Sequence, residues 1–372
     1  MDKLMRYVDV YVPVEACTLR CHYCYITTHR LFSAKLPQFR YSPSHVRMAL
    51  SKQRMGGTCF FSFCGGGETL LPPEMPKYFL ELLHEGHYVG VVTNGTIDRA
   101  LDEIESFPKD LIKRMFFKFS YHHFELKKRN LQSKFFENVR RIKRAGAAIT
   151  VEITPDDKLI PYIEEIKDIC DREVGAWPHV SVARDEREMS VLPILTELPR
   201  DEYIKVWSCF ESELFRFKMS VFGKRQPYFC HAGDWTFNLD LGSGVMRQCY
   251  FSLYQQNIFE DVNSPIDFKA IGHYCLEPHC HNAHVFLGYG DMPEINDTTY
   301  AKERNRICKD GSEWLNDEYK NIMGQRLCDN HVQYSSIRKM RIDTEMLLLK
   351  VRHKFRAGFS HVKRRIRRLL RM

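Results

Sequence analysis

"ACTLRCHYCY", residues 16–25, carries three cysteines, Cys17, Cys21 and Cys24, in the spacing Cys-x3-Cys-x2-Cys. The stretch follows a run rich in β-formers, "RYVDVYV" (6–12). Thiolates at this spacing can wrap one face of a [4Fe–4S] cubane and leave the fourth iron open. An open coordination position separates a reactive metal centre from a structural one, whose ligands close the shell. The competing readings are a zinc site or three unrelated core cysteines.

Outward from this loop, short β runs alternate with helical patterns. The expected strands are 6–12, 58–63, 88–93, 116–121, 147–153 and 178–183, and helix-like segments fall near 43–55, 74–86, 132–145 and 157–172. In "KFFENVRRIKRAG", Phe135, Phe136, Val139 and Ile142 share one face, and Gly146 suits a C-cap. Alternating units of this kind predict a parallel sheet covered by helices. The fold expected is therefore α/β, a partial (β/α)6 barrel with its site at the C-terminal strand ends. A small cysteine-bearing α+β extension and a basic helical tail follow it. The divisions expected are a core over 1–215, the extension over 216–300, a helical connector over 301–345 and the tail over 346–372.

The cysteine spacing after the first strand, with an aromatic residue before the last cysteine, resembles the radical S-adenosylmethionine (SAM) superfamily. That resemblance spans roughly residues 6–200, the six βα units. It implies that the open iron of a [4Fe–4S] cluster on Cys17, Cys21 and Cys24 chelates the methionine moiety of SAM. Reductive cleavage of SAM would then release a 5′-deoxyadenosyl radical. "FCGGGET" (63–69) follows the second strand, and glycine lets backbone approach a ligand closely. By the resemblance Gly66, Gly67 and Glu68 hold the SAM amino group, although Thr69 stands where the family has proline. Asn94 in "VVTNGT" (91–96) and Ser120 at the end of the fourth strand are expected near SAM. Tyr23 is expected beside the adenine. Glu152 and Thr154 end the fifth strand. Arg184 ends the sixth and would suit a carboxylate.

The second half adds "CHAGDWTFNLDLGSGVMRQC" (230–249) and "HYCLEPHCHNAH" (273–284). Cys230, Gly244 and Cys249 resemble the Cys-x(9–15)-Gly-x4-Cys element of SPASM and twitch extensions, which is typically a β-hairpin. Cys275 and Cys280 would complete four ligands for one auxiliary [4Fe–4S] cluster, the twitch arrangement. Their Cys-x4-Cys spacing departs from the usual Cys-x2-Cys. The alternatives are no metal, or zinc held by Cys275, Cys280, His281 and His284. Cys64, beside the glycines, is a candidate hydrogen-atom donor. Cys59, Cys170, Cys209, Cys308 and Cys328 read as small buried hydrophobes.

The 372 residues carry a net charge of +8, but ten of the Lys and Arg residues and no acid lie in 350–372. The remainder is slightly acidic. In the tail Val351, Phe355, Phe359, Val362, Ile366 and Leu370 recur at helical spacing, with Lys and Arg on the other face. Such a helix suits an anionic membrane surface, or else it docks on its own protein. The start of the chain lacks a signal-like apolar stretch, so a cytoplasmic protein is expected, peripheral to the inner face of the membrane. Thirteen cysteines then read as ligands or core residues rather than disulfides.

The expected function is hydrogen abstraction from a carbohydrate or small-metabolite C–H bond, leading to dehydrogenation or epimerisation. An external donor such as a flavodoxin or ferredoxin would supply the electron. The chain starts directly at the first strand, which disfavours the alternative of a peptide or protein maturase. A non-catalytic iron–sulfur or zinc protein binding nucleic acid is the other reading. Confinement of positive charge to one segment argues against that reading, and no nucleic-acid partner is expected.

Overall fold

The computed structural model describes residues 2–188, 190–250, 252–280 and 284–369, with side chains described as far as 353 in the last helix. The chain begins with β1 (Leu4–Val12), the cysteine loop, and the short helices α1 (Tyr25–Thr28), α2 (Pro43–Ala49) and α3 (Lys52–Met55). Then come β2 (Thr58–Gly65), α4 (Met75–His84), β3 (Tyr88–Thr93), α5 (Asp98–Glu105), α6 (Lys109–Ile112) and β4 (Met115–Ser120). After α7 (His123–Lys128) and α8 (Gln132–Ala145) follow β5 (Ala148–Ile153), α9 (Ile163–Val174) and β6 (His179–Val180). The second half holds α10 (Arg200–Trp207), α11 (Glu213–Val221), β7 (Thr236–Asp240), β8 (Val245–Arg247) and β9 (Gln255–Asn257). It closes with α12 (His284–Gly288), α13 (Tyr300–Arg304), α14 (Asp317–Gly324), α15 (Leu327–Asn330) and α16 (Ser336–Leu369).

One nine-stranded sheet runs β6-β5-β4-β3-β2-β1-β7-β8-β9. Strands β1 to β6 are parallel, as the alternating pattern requires, and the sheet does not close into a barrel. Alternation sets its two faces. Val8, Val10, Phe61, Phe63, Val89, Val91, Phe117 and Phe119 pack in the main core, which also holds the buried faces of the outer helices. Tyr7, Phe60, Tyr88, Phe116 and Ala148 point the other way and join a second core with residues of α12 to α15. Tyr7 stacks on Tyr289 at 5.1 Å, and Phe60 meets Tyr319 edge-on at 5.5 Å. The segment 284–330 thus plugs one end of the sheet's concave side. Above that plug the inward positions turn polar: Asp9, Ser62 and Lys118, then Cys64, Ser120 and Glu152.

Several expectations change. β6 is two residues long rather than six, so Arg184 does not end it; Arg184 bridges to Ile194 farther along the chain. The expected 43–55 helix is two helices, and α5, with Ala100, Leu101 and Ile104 buried, lies where no helix was expected. The expected hairpin is present as β7 and β8, but β7 pairs in parallel with β1. The sheet therefore continues across the expected boundary near residue 215. Helix α8 ends at Gly146, which adopts φ 113°, a left-handed conformation open to glycine. The tail backbone is helical to Leu369, while its side chains beyond 353, and Leu370, lie outside the described residues, as does His281. No helix among the described residues is long and apolar enough to cross a membrane.

Candidate functional site

The cysteine loop is held at the C-terminal strand ends by backbone. Beyond the β1–β2 pairing, the Gly67 amide donates to the Val14 carbonyl (2.5 Å) and the Glu68 amide to Ala16 (2.9 Å). A Cβ on Gly67 would collide with the Ala16 carbonyl, and one on Gly66 would meet the Val14 carbonyl at 2.9 Å. Glycine is what lets these two loops run edge to edge. The Arg20 amide donates to Glu125 Oε2 (2.9 Å), tying the loop to α7.

Glu68 is buried. Its carboxylate accepts from the Thr93 hydroxyl (2.6 Å), the Asn94 amide (2.8 Å) and the Leu70 amide (3.1 Å). Burial pushes its pKa up, and these three bonds oppose the shift. The Asn94 side chain donates to Thr18 Oγ1 (2.9 Å), and its Nδ2 lies 3.6 Å from Cys17 Sγ. One cavity of about 100 Å³ is lined by all three loop cysteines, Gly66, Gly67, Glu68, Asn94, Ser120 and Cys64. The loop thiols perturb one another's ionisation. Burial, followed by Glu68, raises the Cys17 thiol to about 11, and burial likewise raises Cys21 and Cys24. Three largely buried thiols on one loop beside a glycine cradle suit, by donor chemistry, a cluster that would deprotonate them.

Residues 11–172 match the model of the radical SAM superfamily. Over this segment, which runs from the end of β1 into α9 and carries the cysteine loop and the glycine cradle, the chain is similar to that superfamily. No curated protein matches the chain. Among solved structures, Streptococcus suis SuiB bound to S-adenosylmethionine is 12% identical with a TM-score of 0.49, covering 69% of this chain and 64% of SuiB. The chain thus spans less than two thirds of SuiB. The anSMEcpe complex with AdoMet and the Cp18Cys peptide is 12% identical (TM-score 0.42; 93% of this chain, 98% of that one). BtrN in complex with AdoMet and 2-DOIA is also 12% identical (TM-score 0.31; 89% and 92%).

Two larger cavities adjoin the one at the cysteine loop. One, of about 830 Å³, shares Cys24, Ser120 and His122 with the cysteine-loop cavity, and Tyr23 and Arg184 also line it. The Tyr23 hydroxyl lies 2.7 Å from His122 Nδ1. The other, of about 390 Å³, reaches down to Tyr7, Asp9 and Tyr250. Cys64 lines all three cavities. Burial and then Asp9 raise its thiol to about 11, so it is protonated at neutral pH.

Arg184 is less free than the sequence reading supposed, because its guanidinium pairs with Glu186 at 2.7 Å. Glu152 is bracketed by Lys118 Nζ (3.2 Å) and Arg304. Burial and then Arg304 lower the Lys118 ammonium to about 8. Sequence reasoning missed Lys118, Arg304, Glu125 and Thr93. Lys118 carried a signal, being the inward-facing cation in the apolar strand "MFFKFS". Arg304 carried none, since only the folded chain brings α13 to β5.

The second cysteine set comes from three places: Cys230 before β7, Cys249 after β8, and Cys275 with Cys280 in the loop before α12. All four pack in or against the second core. Burial pushes each thiol up, and Cys230 and Cys249 each feel both Cys275 and Cys280. Tyr250, next to Cys249, donates its hydroxyl to Asp9 and so joins this set to the interior cavity. No three His, Cys, Asp or Glu side chains among the described residues stand close enough to hold one ion between them. The fit of either set to a cluster therefore rests on donor chemistry and placement.

Proposed function

We propose that this chain is a radical SAM enzyme that removes a hydrogen atom from a C–H bond of a carbohydrate or small metabolite, leading to dehydrogenation or epimerisation. Cys17, Cys21 and Cys24 would hold a [4Fe–4S] cluster, and Tyr23, Gly66, Gly67, Glu68, Asn94 and Ser120 would bind SAM. The cluster with SAM supplies a carbon-centred oxidant when an external flavodoxin- or ferredoxin-like donor gives one electron. The observation that carries the reading is the meeting of the thiol loop, the glycine cradle and two interior cavities at Cys64. Cavities of about 830 and 390 Å³ suit a polar small molecule.

Glu68 and Asn94 fix the loop, because their side chains bond backbone and hydroxyl groups on both sides of it. Cys64, which lines all three cavities, would return a hydrogen atom to a substrate radical. Its sulfur would then need one electron and one proton, both from outside the chain. Cys230, Cys249, Cys275 and Cys280 would hold an auxiliary cluster that takes the electron left on a dehydrogenated substrate. The protein would work in the cytoplasm, with α16 reaching an anionic membrane surface.

The test is 5′-deoxyadenosine formation by the reconstituted, reduced protein. Accumulation that rises only with sugar-type substrates supports the reading. A rise only with a precursor peptide makes the chain a maturase. No cleavage of SAM under any condition returns it to the non-catalytic class.

A further inference from the structure

The cavity of about 830 Å³ contains a cation with no partner among the described residues. Lys218 on α11 is 6% exposed and lines this cavity, and its ammonium has no hydrogen bond or ion pair among the described residues. A buried lysine without a partner is costly, so its presence needs a reason.

Of the other cations lining this cavity, Lys118, Lys158, Arg184 and Arg187, it is Lys118 and Arg184 that act on Lys218. Lys118 shares Glu152 with Arg304, and Arg184 pairs with Glu186. Lys218, Lys118, Arg184 and Arg304 thus divide two carboxylates. Asp156 pairs with His22, Asp157 accepts from the Thr196 hydroxyl and the Glu197 amide, and Asp185 pairs with Arg187, while the exposed Glu197 side chain also lines the cavity. Glu303 on α13 acts on Lys218 only at longer range, and burial holds it far above the usual carboxylate range. Burial, then Arg184 and Lys118, push the Lys218 ammonium well below the ordinary lysine range. In the free protein Arg184 and Lys118 therefore disfavour the charged form of Lys218 across a cavity open to a small molecule.

We propose that Lys218, Lys118 and Arg184 form a subsite for a phosphoryl group, so that the molecule acted on is a phosphorylated carbohydrate. A dianion would relieve the mutual repulsion that a neutral sugar would leave in place. An arginine fork with two lysine point charges suits phosphoryl oxygens. The proposal rests on the radical SAM small-molecule reading for its substrate, but its test needs no turnover.

The test is calorimetric titration of the reconstituted, SAM-loaded protein with inorganic phosphate, and separately with acetate. Saturable phosphate binding is expected, at least ten-fold weaker in Lys218→Met and recovered in Lys218→Arg. Arg184→Gln, which lies outside the packed helix, is expected to weaken it as well. No saturable binding in the folded parent, or equal binding in Lys218→Met and Arg184→Gln, would overturn the subsite. Acetate binding as tightly as phosphate would make it a carboxylate site instead. A matching loss of SAM affinity in Lys218→Met would assign the cations to the SAM carboxylate, again overturning it. If phosphate binds but no substrate provokes SAM cleavage, the subsite stands and the functional reading falls.

Discussion

The two cysteine sets are built in opposite ways. Cys17, Cys21 and Cys24 lie within eight residues on one loop, whereas Cys230, Cys249, Cys275 and Cys280 are drawn from a span of 51. The first set is positioned by backbone pairing to its neighbour in the sheet and by Glu68, Asn94 and Glu125. The second sits in or against an apolar core whose members come from both halves of the chain. A local loop needs little beyond its own strand to bring its ligands together. A dispersed set must wait for the sheet, because each long segment between ligands adds closure entropy. The first set also lines a cavity, while the second reaches the interior cavity only through Tyr250, the neighbour of Cys249 that bonds Asp9.

The sharpest way to break this comparison is to remove one thiol from each set. Cys24→Ala is expected to abolish 5′-deoxyadenosine formation altogether. Cys249→Ala is expected to leave SAM cleavage in place while lowering iron from about 8 to about 4 per chain. Iron of about 4 in the parent, unchanged by Cys249→Ala, would remove the second set from cluster chemistry.

The same contrast explains what could be read in advance. The cysteine loop, the glycines, Asn94 and Ser120 follow strands with clear β-branched or aromatic runs, and strand order in a parallel sheet fixes where such motifs fall. Five of the six strands appear within about two residues of their expected bounds. β6 shrinks because the chain leaves the sheet after the Ser181 amide bonds the Ile153 carbonyl, and Arg184 pairs instead with Ile194 in an isolated bridge. The place of β7 beside β1 has no local signature, since strand neighbours are a property of the whole fold. Residues 284–330 were opaque for the same reason. Tyr289, Tyr300 and Tyr319 are buried by strands more than 200 residues away, not by a helical stripe of their own. Lys218 lies among Phe215, Phe217 and Met219, and nothing in "ELFRFKMSV" says that a cavity meets that position.

Acid offers a gentler probe, because both sets hang on one sheet. His87 is fully buried under β2, accepting from the Cys59 amide through Nδ1 (3.1 Å) and facing the Leu50 carbonyl through Nε2 (2.8 Å). Burial lowers its pKa to about 4. The unfolded chain then binds the extra proton between about pH 6.5 and pH 4, so this group's stabilisation is full above that window and is lost as pH falls through it. The shift corresponds to about 3 kcal/mol. In urea unfolding of the metal-free protein, the parent's advantage over His87→Gln is expected to shrink by about that amount between pH 7 and pH 4. A pH-independent gap would mean that His87 titrates normally, and that acid acts on the sheet through other groups.

The smallest expected change in stability falls on the first set alone. Gly67→Ala puts a Cβ against the Ala16 carbonyl, which is backbone and cannot swing aside. Relief requires the glycine strip to move away from the cysteine loop, straining the Gly67–Val14 and Glu68–Ala16 hydrogen bonds. Overpacking of this kind costs about 1–3 kcal/mol, little enough for the protein to fold. The loop then loses its seat while the second core, which shares no residue with this contact, keeps its packing. Reconstituted Gly67→Ala should therefore lose the iron assigned to Cys17, Cys21 and Cys24, and bind SAM poorly, while retaining the auxiliary iron. If it lost iron from both sets in step, the two would depend on one another, and the contrast between a locally seated set and a globally assembled one would fail. If it kept full iron but lost SAM, the cradle would act on the ligand alone, and the cysteine loop would hold its shape without it.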